Sequence, residues 1–247
     1  MMSKYWNKPP RVSSWRKISV GMWKPPSDPT IYGYENIDID SLLDYLDEVS
    51  EACGEKITLT AYVVKALGDT LAQSPDLNAI VIQNQVLRRE NTDIFVQVAI
   101  PNDKSGQADL SGVKLRNVDG LDAVQIAGYL RGRANKVRKG EDAEIEQTKS
   151  MIDKIPPLLM PSMLRVVDLL TYVVPLDLDK LGIRSDPFGS AMVTNVGNFD
   201  VRHGFAPLVP MSRCPLVLLL GAVTEEPFAY DGEVVARRAV NMCLTCD

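Results

Sequence analysis

The sequence predicts a single α/β sandwich of two layers, with helices packed on a mixed, largely antiparallel sheet. Three observations carry this reading. Strand and helix periodicities alternate irregularly, in the order strand, helix, helix, strands, helix, then strands. The chain closes on a hairpin signal, Asp231-Gly232, set between two strand-like runs. No G-x-G-x-x-G or P-loop follows any strand, which argues against a doubly wound fold.

Each element has its own signal. Residues 1–30 are rich in Pro and Trp (Trp6, Trp15, Trp23) and read as an extended arm, anchored on a neighbouring surface or on its own domain. The rest, 31–247, reads as one domain. "TIYGYENIDIDSLLDYLDEVSEACG" gives a strand and then a helix. Ser41 and Asp44 form a capping box there, Leu42, Leu46, Val49 and Cys53 form one apolar stripe, and Gly54 stops the helix. "TAYVVKALGDTLAQSPDLNA" is a second, mostly buried helix whose polar strip is Lys65, Asp69 and Gln73, stopped at Ser74-Pro75. Short strands joined by a polar turn follow over 78–100. "LDAVQIAGYLRGRANKVRKG" is the clearest amphipathic helix, with Gly140 as its stop. Residues 141–187 break the pattern as an apolar helical insertion. From 157 to 175 the only polar residues are Ser162, Arg165, Asp168, Thr171 and Tyr172, and the spacing of 162, 165, 168 and 172 leaves a narrow polar strip. That helix is either buried in its own domain or against a sister subunit, or it docks on a protein partner or a membrane surface. "PLVLLLGAV" is a buried strand. In the closing "AVNMCLTCD", Val240, Met242, Leu244 and Cys246 share one parity and predict the buried face.

Composition narrows the function. The chain has 247 residues, 45% hydrophobic and 24% charged, enough for a sizeable core. A net charge of -5 and a pI near 5.1 weigh against nucleic acid as a partner. Four scattered cysteines, without a secretory signal, fit reduced thiols in a cytoplasm. No apolar run is long enough to span a bilayer.

Candidate chemistry is sparse. Cys243-x-x-Cys246 has the spacing of half a zinc site, but there is no second pair and a strand points the two side chains to opposite faces. The reading is therefore packing, with no metal. His203, the single histidine, lies in a loop-like stretch and reads as exposed or structural rather than as a general base. Arg131, Arg133, Lys136, Arg138 and Lys139 suit the C-terminal end of a helix dipole, or contact with a phosphate-bearing cofactor or acidic partner. In "FGSAMVTNVGNF", Thr194 and Asn195 end a strand just before Gly197. A hydroxyl and an amide there could donate to a developing oxyanion, although the local pattern alone favours a plain strand and turn.

Several stretches together carry a resemblance. "SSWRKIS" at 13–19, "SPDLNA" at 74–79, "KLRNVDGLDAVQIAGYLRGRANKVRKG", "GSAMVTNVGNF" and the closing hairpin, in this order and spacing, resemble the catalytic domain of the 2-oxoacid dehydrogenase acyltransferases, or E2 components. These share their fold with chloramphenicol acetyltransferase. The insertion and the form "DPFGSAMVTNVG" look more like stand-alone bacterial members, with no lipoyl domain preceding the catalytic part.

The resemblance implies coenzyme A-dependent acyl transfer to or from a dihydrolipoyl-like thiol, with a lipoyl group supplied in trans if at all. It implies a homotrimer, able to build higher cages, whose sites lie between subunits. The oxyanion donor of the family maps to Thr194, with Asn195 beside it. The general-base histidine belongs to a D-H-R-x-x-D-G motif whose first letter maps to Asp247, so that histidine is expected just after residue 247, in a native chain that continues. No residue is assigned to coenzyme A binding. The alternative is a trimeric or cage-forming scaffold of the same fold without catalysis, docking a partner or a membrane.

Overall fold

The computed structural model describes residues 30–82, 85–101, 108–138, 156, 159–174, 186–209 and 212–247. The expected N-terminal arm, apart from Thr30, and much of 141–187 lie outside them. Strands run in chain order as β1 (Ile31–Asp38), β2 (Ala79–Ile82), β3 (Gln85–Arg88), β4 (Ile94–Pro101), β5 (Ala108–Leu115), β6 (Ala191–Asn195), β7 (Leu216–Tyr230) and β8 (Glu233–Cys246). Six of them form one sheet in the order β1-β8-β7-β6-β4-β5, while β2 and β3 make a separate hairpin. β6 pairs in parallel with both β4 and β7, and the other pairings are antiparallel. The expected mixed, largely antiparallel sheet is what forms.

Three helices, α1 (Asp40–Cys53), α2 (Leu59–Gln73) and α3 (Ala123–Arg138), cover one face. Leu46, Val64, Leu71 and Ile126 from the helices meet Ile94, Val193, Leu218 and Leu220 from the sheet in one buried cluster. Burial of such aliphatic side chains contributes roughly 2 kcal/mol each. Caps set the helix ends. The Thr58 hydroxyl accepts the Ala61 N–H at 3.2 Å and starts α2. Asp122 and Gln125 exchange side-chain and backbone bonds of 2.7 and 3.0 Å ahead of α3. Gly54, at φ 70°, ends α1 as expected.

The start of α1 differs from the sequence reading. No capping box forms on Ser41, and Asp38 instead accepts the Asp40 N–H at 3.0 Å. Asp44 is unavailable because Arg238 of β8 takes its carboxylate at 2.5 Å. The helix begins at Asp40 with Ile39 at the cap position, so Ser41 already lies in the first turn.

β8 also corrects a parity argument. Of the expected residues, Met242 and Cys246 do pack toward the helices and Val240 is buried, but Leu244 is 38% exposed. The opposite parity, Asn241, Cys243 and Thr245, is the more deeply buried. The second sheet face is covered too. Met192 and Val217 pack there against Phe95, Phe188, Ala206 and Leu208, the last two from the irregular segment 200–209. Simple alternation assumes one wet face, and this strand has none at its end.

β7 runs unbroken into the hairpin, where Asp231 (φ 49°) and Gly232 (φ 85°) make the expected two-residue turn. β1 reaches β8 only over Ala239–Cys246, so Glu225–Tyr230 and Glu233–Arg238 project as a two-stranded ribbon. Arg237 pairs with Asp38 (3.1 Å) and Asp40 (3.2 Å), and Arg238 pairs with Asp40 and Asp44 at the ribbon's base.

The described part of the apolar insertion is α4 (Met160–Asp168), continued by a π turn over Leu169–Val173. Its polar strip divides. Ser162 and Arg165 are exposed, while Asp168 holds Arg213 at 3.0 Å and the Arg213 guanidinium lies 5.0 Å from the centre of the Tyr172 ring. Val166, Leu169 and Val174 face outward. The ion pair draws one side of the strip inward and leaves apolar side chains on the surface of the single chain. Among the described residues no helix is long and apolar enough to cross a membrane.

Candidate active site

Thr194 sits near the end of β6, opposite Leu219 of β7. It shares its sheet face with Met192 and Leu219, the face over which segment 200–209 lies. The side chain is half-buried, and no hydrogen bond among the described residues takes up its hydroxyl. That hydroxyl is free to donate.

Asn195 points to the other face, toward the helices. Its Nδ2 donates to the Thr60 Oγ1 of α2 at 2.9 Å, and its Oδ1 accepts the Gly197 N–H at 2.8 Å. The Val196 N–H donates to the Leu220 carbonyl at 2.9 Å. Gly197 is required by close approach, since a Cβ there would stand 2.6 Å from the Gly221 carbonyl oxygen. The end of β6 is thus fixed from three sides. Nothing in the sequence reading singled out Thr60. The available cue was a hydroxyl in the first turn of a mostly buried helix, off its polar strip of Lys65, Asp69 and Gln73.

Asp247 stands elsewhere. Its N–H donates to the Pro215 carbonyl at 3.2 Å, at the start of β7, whereas Thr194 is level with Leu219 and Cys243. At about 3.3 Å per residue and about 4.8 Å per strand, Thr194 and Asp247 are on the order of 16 Å apart, at opposite ends of one face. One chain brings Thr194 and Asn195 together and keeps Asp247 away from both.

The remaining candidates sort by their contacts. His203 is exposed within segment 200–209, next to Gly204, where a Cβ would stand 3.2 Å from Leu219. Arg131 pairs with Glu55, which commits one cation of the basic helix end. Cys243 is fully buried and Cys246 lies on the helix-facing side, so the C-x-x-C side chains diverge. Among the described residues no three His, Cys, Asp or Glu side chains gather as a metal site.

The end of the sheet near Asp247 carries a buried ionic network. Lys114 pairs with Asp93 at 2.9 Å and donates to the Asp186 carbonyl at 2.6 Å, and Arg89 pairs with Asp186 at 3.1 Å and donates to the Arg213 carbonyl at 3.0 Å. Burial pushes the nearby Cys214 thiol up to about 11, so it is a neutral packing group rather than a nucleophile. Burial, with help from Asp186, pushes the Tyr172 hydroxyl up to about 12.

Comparison with known proteins fits this architecture. The model of the 2-oxoacid dehydrogenases acyltransferase (catalytic domain) family matches residues 13–152, more than half of the chain. A curated relative, the dihydrolipoyllysine-residue succinyltransferase component of the mitochondrial 2-oxoglutarate dehydrogenase complex of Saccharomyces cerevisiae, is 22% identical over 220 residues. That match covers 87% of this chain and 37% of the relative, so the chain spans little more than a third of its length. A probable dihydrolipoamide acetyltransferase from Listeria monocytogenes superposes with a TM-score of 0.63 at 17% identity, covering 98% of this chain and 86% of that one. The cubic core of a pyruvate dehydrogenase multienzyme complex gives 0.62 at 19% identity, covering 90% and 74%. The likeness to the solved structures shows the fold, and the family match supplies the rest: the chain belongs to the 2-oxoacid dehydrogenase acyltransferase (catalytic domain) family.

Proposed function

We propose that the protein catalyses coenzyme A-dependent acyl transfer to or from a dihydrolipoyl-like thiol, at a site completed by a second copy of the chain. The observation that carries this is the Thr194 hydroxyl, which no other described residue takes up, held at a pinned strand end and far from Asp247 of the same chain. In this reading a general base takes the proton of the attacking thiol. Sulfur then bonds to the thioester carbonyl carbon, and the carbonyl electrons move onto oxygen. Thr194 of the neighbouring subunit donates to that oxygen, whose charge exists only in the transition state and the adduct. Collapse breaks the bond to the departing thiolate, which recovers the proton. Coenzyme A is a substrate of this reaction, and the acceptor is a dihydrolipoyl-like thiol.

The test is turnover of acetyl-coenzyme A with dihydrolipoamide by the natural chain. Thr194→Ala is expected to lower kcat by roughly 100- to 1000-fold, the usual cost of losing one oxyanion donor. Absence of turnover by the wild-type protein rejects the reading. A catalytically silent scaffold is the second reading, favoured by the outward apolar side chains of α4, Val166 and Leu169. It expects full assembly and no turnover.

A further inference from the structure

We infer that Thr60 is a positioning residue for Thr194, acting through Asn195. This deepens the acyl-transfer reading and rests on it. Alternation along β6 sets where the two side chains go. Thr194 and Asn195 are neighbours on a strand, so their side chains leave opposite faces of the sheet. Asn195 cannot serve the oxyanion on the Thr194 side. It acts on the backbone that the two residues share.

The Asn195 carboxamide has one consistent orientation. The Gly197 N–H can only donate, so Oδ1 must face it, and Oδ1 stands 2.8 Å away. The amide nitrogen then faces Thr60, whose Oγ1 accepts at 2.9 Å. Thr60 lies in the first turn of α2, a helix anchored in the core by Val63, Val64 and Leu71. The link therefore ties the end of a five-residue strand to a core-anchored, sequence-distant element. Valine has the shape of threonine but no acceptor, so Thr60→Val leaves the half-buried Asn195 Nδ2 without its partner and removes one of the ties on the strand end.

A donor must sit about 3 Å from where charge will develop, and a misplacement of about 1 Å costs up to about 100-fold. Because the oxyanion exists only beyond the ground state, the loss falls on kcat and not on KM. The experiment measures steady-state transfer from acetyl-coenzyme A to dihydrolipoamide for Thr60→Val, Thr60→Ser, Thr194→Ala and the Thr60→Val/Thr194→Ala pair. Thr60→Val is expected to lower kcat about 10- to 100-fold with KM unchanged. Thr60→Ser, which keeps the acceptor, is expected to restore kcat. In the Thr194→Ala background Thr60→Val is expected to cost nothing further, because the hydroxyl it positions is gone. An unchanged kcat in Thr60→Val, or an equal loss in both backgrounds, overturns the inference while leaving acyl transfer standing. No transfer by the wild-type protein removes both.

Discussion

Asp38 ends β1 and ties three parts of the chain together. Its carboxylate accepts from the Tyr230 hydroxyl at 2.5 Å, from the Asp40 N–H at 3.0 Å and from Arg237 at 3.1 Å. The Tyr230 bond, then the Asp40 N–H and Arg237, hold its pKa down at about 2. The same contact raises the Tyr230 hydroxyl. An unfolded aspartate titrates near 3.9, so the folded state prefers the ionised form. The stabilisation is fully present above about pH 4 and is lost as pH falls toward about 2. Thermal melts followed by circular dichroism are expected to show the wild-type Tm falling more steeply across that window than the Tm of Asp38→Asn. Parallel curves for the two proteins would mean that these bonds do not couple to folding.

At the scale of elements, β6, β7 and segment 200–209 approach one another closely. A Cβ on Gly221 would lie 2.0 Å from the Arg202 carbonyl oxygen, and one on Gly197 would meet Gly221 itself. Gly33, by contrast, has open space. Gly221→Ala is expected to lower the unfolding free energy by about 1–3 kcal/mol, against about 0.5 kcal/mol or less for Gly33→Ala. Urea denaturation of the two variants makes the comparison, and equal midpoints would count against tight packing there. These elements were legible to different degrees. The run of Leu216–Leu220, the Asp231-Gly232 turn, the Gly54 stop and the strand ending at Asn195 all announce themselves, because their causes are local. The start of α1 does not, since Arg238 claims Asp44 from the far end of the chain. The inward side of α4 was hidden for a similar reason. Asp168 faces the protein only because Arg213 is there to receive it.

For the whole molecule, strand order is the property least visible in the sequence. β6 enters between β4 and β7 by parallel pairing across long separations, and no local pattern encodes such neighbours. That order has a consequence for the site. Thr194 of β6 was legible as a candidate through resemblance, and so was Asp247, but their distance was not. β8 runs antiparallel to β7, so its final residue lies at the β7 start while Thr194 lies level with Leu219. On the proposed acyl-transfer reading, Thr194 and Asp247 are half-sites at opposite ends of one face, and they meet only when copies of the chain come together head to tail, an arrangement that closes into a ring if the rotation permits. Mixing variants tests this directly. Thr194→Ala and Asp247→Ala are each expected to lose most activity alone. When the two are unfolded, mixed in equal amounts and refolded together, random assembly places both intact halves at about one site in four, and activity returns to about that fraction of wild type. Each refolded variant by itself stays inactive. If instead one chain holds the whole site, every site in the mixture carries one of the two lesions and no activity returns. Recovery near a quarter places the reaction between subunits, and the absence of recovery places it within one.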